Sequence, residues 1–123
     1  MKRYYLGVDW ADEFHQVWVS DPQGKKVAEM KVVQNPEGMA EFGRWLGEGK
    51  AEGIELWAAI EKPHGRIVDF LLDHGVVVYP VNPKALDRVR DRFRMSQSKS
   101  DSFDAYVLAE FLRTDHAHLR ALE

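Results

Sequence analysis

The chain has 123 residues, 45% of them hydrophobic and 30% charged, with 17 basic against 20 acidic side chains and no cysteine. This length suits one domain with its own core, and the composition excludes a disordered chain; without cysteine, a disulfide framework and a thiolate metal site are both excluded. No run of about 18 apolar residues occurs, which excludes a transmembrane helix, and Met1-Lys2-Arg3 leads straight into a strand-like stretch, which predicts no cleaved secretion signal.

Tyr4 to Trp10 reads as a strand, apolar apart from its end, where Asp9 sits. Phe14 to Ser20 reads as a second, followed by a turn at Asp21-Pro22-Gln23-Gly24. Lys26 to Val33 is a third, with Ala28, Met30 and Val32 on one face and Glu29 and Lys31 on the other. Their short connections predict an antiparallel meander. The periodicity then becomes helical. Asn35-Pro36 is an N-cap with proline at the first helical position, and Met39, Phe42 and Leu46 recur at helical spacing beside Trp45. Gly47 and Gly49 are expected to end this helix.

Ile54 to Ile60 is nearly all apolar, as a strand buried on both faces would be. Gly65 opens a helix with Ile67, Phe70 and Leu71, stopped at Gly75. Val76 to Val81 is a fifth strand. Asn82-Pro83 begins a helix with Leu86, Val89 and Phe93 on its core side, and a last helix runs from about Ser100 to about Arg113 with Leu108 and Phe111 inward. His116 and His118 then fall in a tail expected to fray. The order is βββαβαβαα, without internal repeat or low-complexity linker. Right-handed crossovers put the fourth strand beside the first and the fifth beyond it, giving a mixed sheet of order 3-2-1-4-5. That is the arrangement of the RNase H-like fold.

Asp9 and Glu61 both end apolar strands. If those strands are adjacent and parallel, both carboxylates emerge at the edge where ligands bind in open α/β sheets. Asp101 and Asp104 are three residues apart at a helix start and so share one face; acids there also favour the helix dipole without any further role. Carboxylates converging in one place repel one another, and a divalent cation is the ordinary remedy. Mg2+ prefers such hard oxygen ligands, and two such ions suit in-line phosphoryl transfer.

A net charge of −3 does not advertise nucleic-acid binding. The distribution differs: Lys84, Arg88, Arg90, Arg92, Arg94 and Lys99 face only Asp87 and Asp91 within their segment. Four arginines at alternate positions do not share one helical face, so part of this run points elsewhere, and pairing with the chain's own carboxylates is the bland alternative to a nucleic-acid contact. Trp10 and Trp18 suit core packing better than base stacking. His15, His64 and His74 are scattered, and no Gly-rich phosphate loop of the Walker type is present.

The stretches Tyr5-Leu6-Gly7-Val8-Asp9-Trp10-Ala11, Ile60-Glu61-Lys62-Pro63-His64-Gly65, Val81-Asn82-Pro83 and Lys99-Ser100-Asp101-Ser102-Phe103-Asp104-Ala105 resemble the landmarks of the DEDD transposases, a family that includes the Piv-type DNA invertases. The resemblance runs from Tyr4 to about Arg113. It implies one RuvC-like catalytic domain over residues 1–123, with Asp9, Glu61, Asp101 and Asp104 as catalytic acids and ligands of two Mg2+ (or Mn2+) ions. Phosphoryl transfer on DNA is the implied chemistry, and in some members of the family an RNA guides target choice. It also implies that the chain is the amino-terminal part of a longer, homo-oligomeric transposase whose second domain contributes a serine, so full transposition is not expected from it alone; the expected compartment, with neither a transmembrane run nor a secretion signal, is the cytoplasm. One departure is Lys62-Pro63-His64-Gly65, where the family has a small-residue-Thr-Gly turn. Two other functions compete: an actin-like or sugar-kinase-type phosphotransferase fragment, and a non-catalytic nucleic-acid-binding or dimerisation module.

Overall fold

The computed structural model describes residues 2–61, 65–93 and 102–122. Strands β1 (Arg3–Asp9), β2 (Phe14–Ser20) and β3 (Lys26–Val33) form the expected meander. They are followed by helix α1 (Pro36–Ala51), strand β4 (Glu55–Glu61), helix α2 (Gly65–Asp73), strand β5 (Val77–Val81), helix α3 (Pro83–Phe93) and helix α4 (Phe103–Asp115). The sheet has the order β3-β2-β1-β4-β5, antiparallel on the meander side and parallel from β1 to β5. This is the mixed RNase H-like sheet expected from the connections.

Alternation along the strands sorts side chains between two faces. Leu6, Val8, Val17, Val19, Ala58, Ile60 and Val78 meet Phe42 and Leu46 of α1 and Ile67 and Leu71 of α2. On the opposite face Tyr5, Ala59, Tyr79 and Val81 meet Leu86 and Val89 of α3 and Leu108, Phe111 and Leu112 of α4. The result is a three-layer sandwich, with β1 and β4 buried between helices.

Three local expectations need correction. Gly47 and Gly49 do not end α1; the helix continues to Ala51. Leu56 packs beside Gly49, 3.6 Å from where a Cβ would stand, an ordinary contact distance. The chain turns at Gly53 instead, whose φ of 80° only glycine adopts without strain. α4 is not a simple one-faced helix either, since Ala105 and all six residues from Val107 to Leu112 are buried. Finally, the tail does not fray. His116–His118 form a 3-10 turn, His116 stacks on Tyr5, and the Leu122 amide donates to the Val78 carbonyl at 2.7 Å, on the outer edge of β5.

The tightest contact between layers is at Gly7. A Cβ there would lie 1.8 Å from the Ala105 carbonyl oxygen and 2.6 Å from the Ala109 nitrogen. Glycine on the strand and alanines at i and i+4 on the helix therefore let α4 rest almost backbone to backbone on β1. Trp18, buried beside Ala105 and Ala109, closes the flank and donates its indole N–H to Ser20 Oγ. It serves the core, as expected over base stacking. Gly7→Ala is expected to lose at least ~3 kcal/mol, because backbone rather than a movable side chain has to yield. Urea unfolding would measure it, and a loss below about 1 kcal/mol would show that α4 sits less firmly on β1.

Candidate active site

The parallel register Val8 to Ile60 makes Asp9 and Glu61 the next neighbours at the carboxyl ends of β1 and β4. Adjacent strands lie about 4.8 Å apart, so their backbones fix the two acids side by side. Both share a face with Gly7 and Ala59, the side covered by α3 and α4. Asp104 stands in the first turn of α4, one residue before the Ala105 that touches Gly7. The seating of the helix on the glycine therefore also carries Asp104 to Asp9. Trp10 ties the two strand ends together, its indole N–H donating to the Glu61 carbonyl at 3.0 Å. At the other end of the approach, the buried Ser102 hydrogen-bonds the Glu29 carboxylate of β3, which anchors the start of α4.

The structure thus brings Asp9, Glu61 and Asp104 together; Asp101 lies outside the described residues, as does His64. The electrostatics match the crowding. Burial, then the charges of Asp104 and Glu61, push the Asp9 carboxyl up from 3.8 to about 6, against the opposing pull of Arg90.

Arg90, grouped in the sequence with candidate nucleic-acid contacts, instead takes the bland alternative and pairs with the chain's own carboxylates. Its Nε and Nη2 donate to the two oxygens of Asp104 at 3.0 and 3.3 Å, Nη1 pairs with Asp87, and Nη2 stands 3.8 Å from Glu61. Hydrogen bonding to Asp104 raises its own pKa further. Arg92 likewise forks onto Asp115 at 3.0 and 3.4 Å. Of the six basic residues considered for nucleic acid, Lys84 and Arg88 are exposed on α3, Arg90 and Arg92 face carboxylates of the chain itself, and Arg94 and Lys99 lie outside the described residues. The only signal for Arg90 was its i+3 spacing from Asp87.

The side chains of Glu61 and Asp104 are 39% and 37% exposed. A cavity of 190 Å³ lined by Ala11, Asp12, His15, Gln34, Arg66 and Ile67 opens on the opposite face. There the buried His15 accepts from the Ala11 amide through Nδ1 and donates from Nε2 to Gln34 Oε1, which braces the β1–β2 turn.

The family model of DEDD transposases of the IS110 type matches residues 6–123. The chain belongs to the DEDD transposase family. It is 47% identical over 120 residues to y4uE of Sinorhizobium fredii, which bears a transposase name, covering 96% of this chain and 33% of that protein. It is 38% identical over 116 residues to the mini-circle protein of Streptomyces coelicolor named as the transposase for IS117, covering 93% of this chain and 28% of that one. The chain therefore spans about a third of the length of these relatives. Among solved structures, Thermus thermophilus RuvC in complex with a Holliday junction substrate superposes with a TM-score of 0.63 at 13% identity, covering 98% of this chain and 99% of that one. A second structure of Thermus thermophilus RuvC gives the same TM-score over 99% of this chain. At that identity the likeness establishes the RuvC-like fold.

Asp9 makes the stability of this transposase domain depend on pH. Its carboxyl keeps its proton to a higher pH in the fold than in the unfolded chain, so between pH 3.8 and about 6 the folded state binds more protons. The contribution of this group to stability therefore falls as pH rises through that window and stays low above it. The difference is on the order of 1 kcal/mol once solvent around this half-buried group is counted. Asp9→Asn is expected to be the more stable protein at pH 7, with the advantage vanishing towards pH 4. Parallel melting curves for both proteins across that range check it, and a pH-independent difference would remove the repulsion argument.

Proposed function

We propose that this domain carries out metal-dependent phosphoryl transfer on DNA for a transposase, with Asp9, Glu61, Asp101 and Asp104 as its acids. The observation that supports it most is the meeting of Asp9 and Glu61, at the carboxyl ends of two parallel strands, with Asp104 in the first turn of α4. The donor set fits Mg2+ or Mn2+ in kind: hard carboxylate oxygens, no sulfur, and an Asp9 whose carboxyl is pushed up by burial and then by the charges of Asp104 and Glu61. Among the described residues no three acidic or histidine side chains already stand at ligand spacing; Arg90 lies between Asp104 and Glu61. Two bound ions would supply the charge that stabilises the attacking and leaving oxygens of an in-line displacement.

The chain's own part is to aim the acids. Gly7 and Ala105 set the depth of Asp104, the β1–β4 register sets Asp9 against Glu61, and Trp10 keeps the two strand ends from separating. DNA as substrate follows from the transposase family. A guide RNA, self-association and complete strand exchange belong, on this reading, to the longer protein with its second domain and serine. Among the described residues no helix is long and apolar enough to cross a membrane.

Mn2+ at ten times its Kd is expected to stabilise the wild type by about 1.4 kcal/mol, on the order of 5 °C in melting temperature for a chain of this size. Asp9→Asn should lose most of that response. Equal shifts in the two proteins would remove Asp9 from the site. No shift in either, with nucleic-acid binding retained, would turn the reading to a non-catalytic binding module.

With Arg90 and Arg92 paired to carboxylates of the chain, Lys84 and Arg88 are the exposed described residues of the basic segment best placed to meet phosphate. Changing both to Ala is expected to weaken DNA binding and to flatten the slope of log K against log[salt] by ~0.9 for each phosphate that is no longer neutralised. An unchanged slope in a fluorescence-anisotropy salt series would place the DNA path off α3.

A further inference from the structure

Arg90 occupies an unusual position for a residue of a basic segment. Its side chain is only 23% exposed, and it lies over the acids rather than towards solvent. The fork of Nε and Nη2 on the two Asp104 oxygens, at 3.0 and 3.3 Å, is the strongest arrangement a guanidinium makes with a carboxylate. The same Nη2 reaches Glu61 at 3.8 Å. Two of the three described acids thus share one cation that belongs to the chain. The third contact is different in kind: Asp87, one turn back on α3, has a side chain 69% exposed and takes no part in the acid cluster.

We propose that Arg90 is a resident counter-ion of the site: in the unloaded domain it holds Asp104 and Glu61 in place of the divalent metal, and metal loading displaces it. This inference rests on the metal-dependent reading above. A guanidinium and a divalent ion compete for the same carboxylate oxygens, and their mutual repulsion at such short range disfavours joint occupancy. Asp87 gives the displaced guanidinium a partner at the solvent edge, so the exchange does not strand a charge. The same contact explains why crowded acids coexist with a stable fold before any metal arrives. It also sets the metal affinity: if the acids are free of Arg90 in only about a tenth of molecules, the apparent Kd is about tenfold weaker than the acids alone allow.

The test is Mn2+ binding by isothermal titration calorimetry to the wild type, Arg90→Gln, Arg90→Lys and Asp9→Asn, with a melting curve of each metal-free protein. In the wild type, the Arg90 Nε–H resonance is also followed by NMR during a Mg2+ titration. Arg90→Gln should bind Mn2+ about tenfold more tightly and melt lower when metal-free, with saturating metal closing the gap. Arg90→Lys keeps the charge without the fork and should fall between, about threefold tighter than wild type. The Nε–H signal should move towards that of a free arginine, with the midpoint of metal binding. If Arg90→Gln does not fold, Arg90→Lys and the wild-type titration decide the matter. Unchanged or weaker Mn2+ binding in the Arg90 variants, or an Nε–H signal indifferent to Mg2+, overturns the counter-ion role while Asp9-dependent binding leaves the metal reading standing. Mn2+ binding that is absent, or the same in Asp9→Asn as in the wild type, overturns the metal reading, and the counter-ion role falls with it.

Discussion

The contact on which the rest of the molecule depends is the seating of α4 on β1. Backbone approaches backbone at Gly7, with Ala105 and Ala109 above it and Trp18 at the side. Close packing of this kind leaves no slack, because interiors are filled to the density of organic crystals. The neighbouring positions inherit that rigidity. Asp9 stands two residues beyond Gly7 on the same face, and Asp104 stands one residue before Ala105. The distance between the two acids is therefore set by a glycine and an alanine that carry no chemistry. A site built on a strand end and a helix start in this way is held more firmly than one built on loops.

The charges of α3 and α4 follow the same economy. The chain carries a net charge of −3, yet three arginines of α3 and α4 pair with its own carboxylates: Arg90 with Asp104 and Glu61, Arg92 with Asp115, Arg113 with the buried Glu110. The Arg92 pair is exposed and adds little to stability. Glu110 is different, since its side chain is only 7% exposed and would be costly without Arg113. Arg113 in turn lies under the turn at Gly24, which links α4 to the β2–β3 hairpin as well as to β1.

Much of this was legible in the residues. Alternation in Lys26–Val33, the unbroken apolar run from Ile54 and the Asn-Pro helix starts each encode one element, and short connections with right-handed crossovers order the strands. The juxtaposition of Asp9 and Glu61 follows from that order alone. What escaped was whatever depended on a partner distant in the chain. Gly47 and Gly49 each weaken a helix by about 1 kcal/mol in isolation, but α1, held on the sheet by the buried Phe42 and Leu46, runs past them. α4 shows a weak stripe because it is enclosed on nearly every side, so periodicity marks only part of its core face. Arg90 reads as one basic residue in a basic run, and its true neighbours come from β4 and α4. His116 looks like a loose tail until Tyr5 and Trp57, far earlier in the chain, supply its stacking partners.

Gly7 and Ala105 are separated by nearly the whole chain, which has a temporal consequence. Before α4 docks on β1, Asp104 cannot stand beside Asp9. Until then the groove over Gly7 is an uncovered strip of apolar strand, and the acids at the sheet edge lack their helical member. Contacts of such long sequence separation are slow to form, because loop-closure entropy is lost before they stabilise the fold. An unfinished or shortened polypeptide that stops before α4 therefore holds two carboxylates and no assembled centre. The cluster of Asp9, Glu61 and Asp104 is complete only once α4 has docked on β1.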